Sequence, residues 1–360
     1  MSDARDPICG MAGAIERHGH RFCSERCIAE FERRAASPSK PAWWRDPWVW
    51  VPASAAVLAV VSPAYREYLQ KVGVPFLIGL ALGGLVDHFV PKSYIVKLLS
   101  GPGTGVIGRA TVLGFLASTC SHGALALSIE LYRKGASVPA VISFLLASPW
   151  ASMALTFILL SLFGPPALWF IGGALAIAWL TGLIFQRLSA RGLIDRNPNT
   201  TAVESLSIKE DIAERWRRYP WTADQLREDA RGVLSGMVAL GRMTMGWVQI
   251  GLGLSALLGA AMPQGAFTRF FGRSPLGLLA TLGLAAVIEV CSEGTAPLAY
   301  ELYRHTGALG NAFAFLMAGV VTDYTELALV WANIGRRSAL WMLAVALPMV
   351  LLAGMLLNIR

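Results

Sequence analysis

The chain has 360 residues, 55% of them hydrophobic and only 15% charged, with a mean hydropathy of +0.52 and a formal net charge of +8. This composition excludes a soluble enzyme and fits a polytopic membrane protein. The positive charge gathers in the N-terminal segment and between Arg187 and Arg231, so it reports topology and not nucleic-acid binding.

Residues 1–34 read as a small polar module. Asp6-Pro7-Ile8-Cys9-Gly10-Met11 is followed by His18-Gly19-His20-Arg21-Phe22-Cys23-Ser24 and then by Cys27. Cys23 and Cys27 fall on one face of a predicted helix, and Pro7 and Gly10 turn the chain at Cys9. His18 or His20 is a candidate fourth ligand. So short a segment buries little core, and a bound metal is expected to fold it. The first 47 residues carry no apolar signal core. Clustered cysteines there point to metal in a reducing cytoplasm more than to disulfides. Residues 6–31 resemble the YHS/TRASH-type heavy-metal-binding module. That resemblance implies that Cys9, Cys23 and Cys27 hold Zn2+ or Cu+.

A Pro-, Ser- and Ala-rich linker, 35–47, leads to the aromatic belt of Trp43, Trp44 and Trp48. A permease domain is expected over 48–357, with repeat 1 about 74–186, a cytoplasmic loop 188–231 and repeat 2 about 233–357. Its spans are predicted at about 48–62, 74–90, 138–162, 166–186, 233–262, 309–333 and 338–357. Two further apolar stretches, 101–135 and about 277–304, are broken in the middle. The breaks carry matching motifs, Cys120-Ser121-His122-Gly123 and Cys291-Ser292-Glu293-Gly294.

Placing Cys120 on Cys291 and reading on without gaps matches Leu127 with Leu298 and Glu130-Leu131-Tyr132-Arg133 with Glu301-Leu302-Tyr303-Arg304. Phe144-Leu145 then falls on Phe315-Leu316 and Ala147 on Ala318. This is an internal duplication. If each broken segment crossed the bilayer, the Arg-rich loop would lie outside, against the positive-inside rule. Re-entrant hairpins remove the conflict. They enter from opposite faces and make an inverted repeat in an all-α membrane protein. Arg269, Arg273 and Arg304 fit this scheme poorly.

Gly123 and Gly294 allow the backbone to turn, and non-helical backbone at membrane depth persists only where protein or a cavity satisfies it. If the hairpins meet, Cys120 and Cys291 supply sulfur, His122 nitrogen and Glu293 oxygen, with Ser121 and Ser292 beside them. Such a mixed set suits a borderline cation such as Zn2+. Glu289, Asp323 and Glu326 are candidate outer ligands or proton acceptors. Glu301 and Arg304 are expected to pair at a hairpin mouth, as are Glu130 and Arg133, and His305 is expected in an exposed loop.

The Cys-Ser-x-Gly motif leading into Glu130-Leu131-Tyr132-Arg133-Lys134-Gly135-Ala136, with the later Phe144-Leu145-Leu146-Ala147-Ser148-Pro149, resembles a predicted-permease family over about residues 70–357. That family includes organoarsenical efflux permeases and permeases assigned to copper or zinc efflux. The resemblance implies export of a thiophilic metal or metalloid across a bacterial inner membrane. Cys-Ser-Cys-Gly is common in the family, whereas His122 and Glu293 occupy the third position here, which favours a divalent cation. The expectation is a secondary transporter for Zn2+ or Cu+, proton-coupled, in contact with lipid and without nucleic acid, with a homo-oligomer left open. A permease for trivalent organoarsenicals is the alternative, and a membrane metal sensor or metalloenzyme without transport is the second. No nucleotide-binding motif is visible.

Overall fold

The computed structural model describes residues 15–17, 20–22, 46–90, 92–99, 103–117, 121–194, 196–198, 211, 214, 216–217, 219–261, 264–288 and 291–359. The chain divides into two units, residues 1–50 and 51–360. In the first, β1 (Ile15–Arg17) pairs antiparallel with β2 (His20–Phe22), with Ile15 opposite Phe22. This ribbon was not expected from the cysteine spacing. The side chains of Cys9, His18, His20, Cys23 and Cys27 lie outside the described residues.

α1 (Pro47–Val61) is followed by the membrane unit proper. Its first half comprises α2 (Pro63–Phe89), α3 (Lys92–Leu99), α4 (Thr104–Ala117), α5 (Ser121–Arg133), α6 (Val138–Trp150), α7 (Met153–Phe163) and α8 (Ala167–Ala190). The second comprises α9 (Ala223–Ala261), α10 (Gln264–Phe271), α11 (Pro275–Val287), α12 (Ser292–Thr306), α13 (Leu309–Thr322), α14 (Tyr324–Asn333) and α15 (Arg336–Ile359). A shift of 171 residues, 291 less 120, carries each helix of the first half onto its counterpart in the second. Among the described residues five segments are long and apolar enough to cross a membrane: α2, α8, α9, α15, and α13 with α14 taken together. A sixth span forms if α6 and α7, bent by 43° at their junction, count as one.

Hydropathy misplaces some boundaries. α2 begins at Pro63, not near Val74, because Ser62 caps it by accepting from the Tyr65 amide at 3.2 Å and proline suits the first helical turn. Its charged first turns hide the helix from an apolar scan. α9 likewise starts inside the expected loop, where Thr222 Oγ1 accepts from the Gln225 amide at 3.3 Å. The predicted spans 138–162 and 309–333 are each interrupted. Ser152 caps α7 by accepting from the Leu155 amide at 3.1 Å, and Asp323 caps α14 by accepting from Thr325 at 2.7 Å and Glu326 at 3.2 Å.

The hairpins α4–α5 and α11–α12 are re-entrant. Gly103, which precedes α4, and Ser137, which follows α5, line one cavity with Gln186 of α8 and Arg196 beyond its end. Asn197 Nδ2 donates to the carbonyls of Tyr132 and Ala136 at 2.6 and 2.7 Å on the same side. At the other hairpin, Arg273 Nε donates to Gly307 O at 2.9 Å, so the start of α11 and the end of α12 share a face. α9 runs from the first face to the second, where α10 and α11 follow. The hairpins therefore enter from opposite faces.

The halves pack pseudo-symmetrically. α4 contacts α6 and α8 as α11 contacts α13 and α15, and α2–α9, α6–α13 and α8–α15 join counterparts across the interface. Small residues permit close approach there: a Cβ on Gly84 of α2 would lie 2.6 Å from the Val233 carbonyl of α9. Trp150 is fully buried in the core and donates its indole N–H to Met317 O at 3.0 Å.

Candidate functional site

The break in the second hairpin follows from its local chemistry. α11 stops at Val287, and Cys291 caps α12 with its carbonyl accepting from the Gly294 and Thr295 amides at 2.8 and 3.0 Å. Ser292, Glu293 and Gly294 form the buried first turn. Glu293 is 2% exposed, yet both carboxylate oxygens are engaged. Cys291 Sγ donates to Oε2 at 2.5 Å, and Ser152 Oγ from the first half donates to Oε1 at 3.1 Å. Ser152 and Cys291 are both helix caps, so the N-termini of α7 and α12 meet at this carboxylate. The positive ends of two half-helices therefore face this buried acidic side chain.

Gly251 on α9 closes the site from another direction. A methyl group there would lie 1.8 Å from the Gly294 carbonyl oxygen, so only glycine allows α9 to touch the motif.

The first motif is described in part. Cys120 lies outside the described residues, as do the side chains of Ser121 and His122. α5 starts at Ser121, and α5 contacts α14, the helix capped by Asp323. Gly123 sits at the inner end of a cavity of about 350 Å³ between α2, α5 and α9, with Asp87 and Glu130 also in its lining. Seven residues of α5 separate Gly123 from Glu130, a rise of roughly 10 Å. A separate void of about 30 Å³ lies at the second hairpin, between Leu284 of α11 and Leu298 and Leu302 of α12, against Phe315 of α13.

Of the outer candidates, Glu289 lies outside the described residues. Asp323 is at the break and is occupied as a cap, not on the face of a continuous helix. Glu326 is fully buried in the first turn of α14. Among the described residues no group of three or more His, Cys, Asp or Glu is placed to hold a metal ion.

Several polar residues take other roles than their sequence context indicates. Glu301 is 3% exposed and accepts from the Tyr68 hydroxyl of α2. His305 Nε2 lies 3.0 Å from its other oxygen, with Arg304 more distant at 3.9 Å. His305 is stacked on Phe267 at 4.6 Å and is not an exposed loop residue. Glu130 pairs with Lys134 at 2.8 Å, while Arg133 donates to Asn333. His88 Nε2 meets Asp229 Oδ1 at 2.9 Å, joining the end of α2 to the start of α9. Ser152 and Tyr68 escaped sequence reasoning. The signal for Ser152 was its repeat partner, Asp323; Tyr68 aligns with Ala239 and carried none.

Comparison with known proteins now decides the family. A model of predicted permeases (ArsP_1) matches residues 64–359. The chain belongs to this permease family. Similar proteins include the UPF0718 protein YcgR of Bacillus subtilis, 24% identical over 79% of this chain and 92% of its own. Another is "Putative permease Rv2963" of Mycobacterium tuberculosis, 28% identical over 64% of this chain and 60% of its own. No solved structure matches. Relatives named as permeases agree with a transporter and not an enzyme. In this permease the matched region holds both hairpins, both interrupted spans and the cavity; the N-terminal module lies outside it.

Proposed function

We propose that the protein is a secondary efflux permease for a thiophilic or borderline metal cation, Zn2+ or Cu+, in a bacterial inner membrane. The observation that supports this best is the buried Cys291–Glu293–Ser152 cluster at a helix break, built from both halves of an inverted repeat. A thiol hydrogen-bonded to a carboxylate shares a proton that a cation displaces, so loading releases protons and unloading recovers them. Cys120 and His122 complete the ligand set through the repeat, which equates His122 with Glu293 and Ser152 with Asp323. Glu289, Asp323 and Glu326 are further proton acceptors. The positive-inside rule assigns the face that carries Lys134, the 187–231 loop and Arg336 to the cytoplasm. The N-terminal module then lies in the cytoplasm and takes Zn2+ or Cu+ through Cys9, Cys23 and Cys27 with His18 or His20.

The test is flux into proteoliposomes of Zn2+, Cu+ and methylarsenite, with the Cys120→Ser/Cys291→Ser protein as control. Metal flux lost in the control supports the reading. Flux of the arsenical alone assigns the organoarsenical branch. Metal bound without flux of any cargo overturns transport and favours a sensor or metalloenzyme.

A further inference from the structure

The repeat places an acid–base pair at the same point of each half. Glu130 and Lys134 on α5 correspond to Glu301 and His305 on α12 under the shift of 171. The first is a half-exposed ion pair at 2.8 Å. The second is buried: Glu301 Oε1 and His305 Nε2 are 3.0 Å apart, and their side chains are 3% and 7% exposed.

Three elements bury it. α2 supplies Tyr68, whose hydroxyl donates to Glu301 Oε2. α9 supplies Gly259, where a Cβ would lie 2.2 Å from Oε1. α10 supplies Phe267, stacked on the imidazole at 4.6 Å with an interplanar angle of 4°. The counterpart of Tyr68 is Ala239, which has no hydroxyl to offer Glu130. The second half therefore has a buried histidine where the first has an exposed lysine. Lysine stays charged through the physiological pH range, whereas histidine gains and loses a proton within it.

Other ionisable groups near the pair come from few elements. Arg304 Nη1 stands 3.9 Å from Glu301 Oε2, with its own side chain half exposed. Tyr300 packs edge-on against Tyr68 and lies under Lys71, which pairs with Glu67 at 2.8 Å. Tyr303 packs on Phe163. Arg269 is on α10, and Arg273 donates to Gly307 O. α7, α11 and α13 carry no ionisable side chain, and α9 none beyond Arg242.

We infer that Glu301, His305 and Tyr68 form a proton-binding site in the last turn of α12, beside the face that carries Arg273, and that its proton is the one exchanged for cargo. This rests on the efflux reading and names the outer end of the proton path. In the tautomer with hydrogen on Nε2, that nitrogen donates to Oε1. An incoming proton goes to Nδ1 and leaves a carboxylate–imidazolium pair. The face of Phe267 and the C-terminal end of α12 both favour the cation. Glu293 lies in the first turn of the same helix, eight residues or roughly 12 Å away. α12 thus holds cargo groups at one end and a proton at the other. Efflux driven by protons from outside requires an acceptor on the outer face, and this pair supplies it.

The test uses the full-length protein, labelled with isotopic histidine and reconstituted metal-free in liposomes. Magnetic resonance follows each imidazole between about pH 8 and pH 5. The signal absent from His305→Gln belongs to His305. It is expected to gain one proton across this range, and to do so at lower pH in Glu301→Gln, which removes the anion. Zn2+ flux in the same liposomes is expected to rise about fivefold or more when protons are supplied from the Arg273 face, and both variants are expected to lose that rise. A His305 that keeps one protonation state throughout overturns the inference, as does a full response to the proton gradient in His305→Gln. If His305→Gln fails to reach the membrane, His305→Lys, which copies Lys134, takes its place. Protonation of His305 needs no cargo, so failure of the metal reading shows as absent Zn2+ flux with His305 still titrating.

Discussion

At the scale of single residues, Glu293 is the group that function and folding both lean on. A buried carboxylate is tolerated because Cys291, Ser152 and two helix N-termini surround it. Glu293→Gln keeps the shape but removes the charge. It is expected to lower metal flux by tenfold or more while purified protein remains folded, as flux and size-exclusion profiles will show; unchanged flux would remove Glu293 from the ligand set. Ser152→Ala is expected to lose a cap and a hydrogen bond to Glu293, destabilising the protein by about 1–2 kcal/mol. Thermal unfolding in detergent measures this. The sequence made Glu293 visible through its motif, but Ser152 looked like one more small residue of an apolar span. Its importance comes from a contact 141 positions away.

Elements show how a broken helix is stabilised. Each interruption has a cap suited to it: serine for α7, aspartate for α14 and the cysteine carbonyl for α12. Asp323→Ala should remove the acceptor for the Thr325 and Glu326 amides and destabilise by about 0.5–2 kcal/mol. Asp323→Ser, which copies the first repeat, should restore most of that stability. If it restores stability but not flux, Asp323 has a role beyond capping. Gly251→Ala is expected to be worse tolerated, by about 1–3 kcal/mol, because backbone and not a flexible side chain lies in the way. Melting temperature and the yield of folded protein report both effects.

For the whole molecule, the inverted repeat explains why short, polar-tipped hairpins persist in a membrane. Each is enclosed by spans of its own half and by one helix of the other, the setting in which non-helical backbone at membrane depth is tolerated. Topology has a direct check. Cysteines introduced at Lys134 and Arg336 should react from one face of the membrane, and one at Arg273 from the other; a single face for all three would exclude re-entrant hairpins. Removing residues 1–50 should leave insertion of the membrane unit intact, because this segment lies outside both halves of the repeat. Membrane-fraction yield of the truncated chain tests this.

Sequence by itself determined the membrane class, the duplication, its shift of 171 and the two Cys-Ser-x-Gly breaks. All of these are patterns along the chain: hydropathy, recurrence and the few residues that end a helix. The positive-inside rule also selected re-entrant over crossing hairpins. Tertiary structure alone decided that Ser152 meets Glu293, that Tyr68 and His305 join Arg304 around Glu301, and that α12 lies on α9. Those facts depend on which surfaces approach closely enough to touch. A glycine at 251 sets the distance between α9 and α12, but it does not say from its own position what stands opposite.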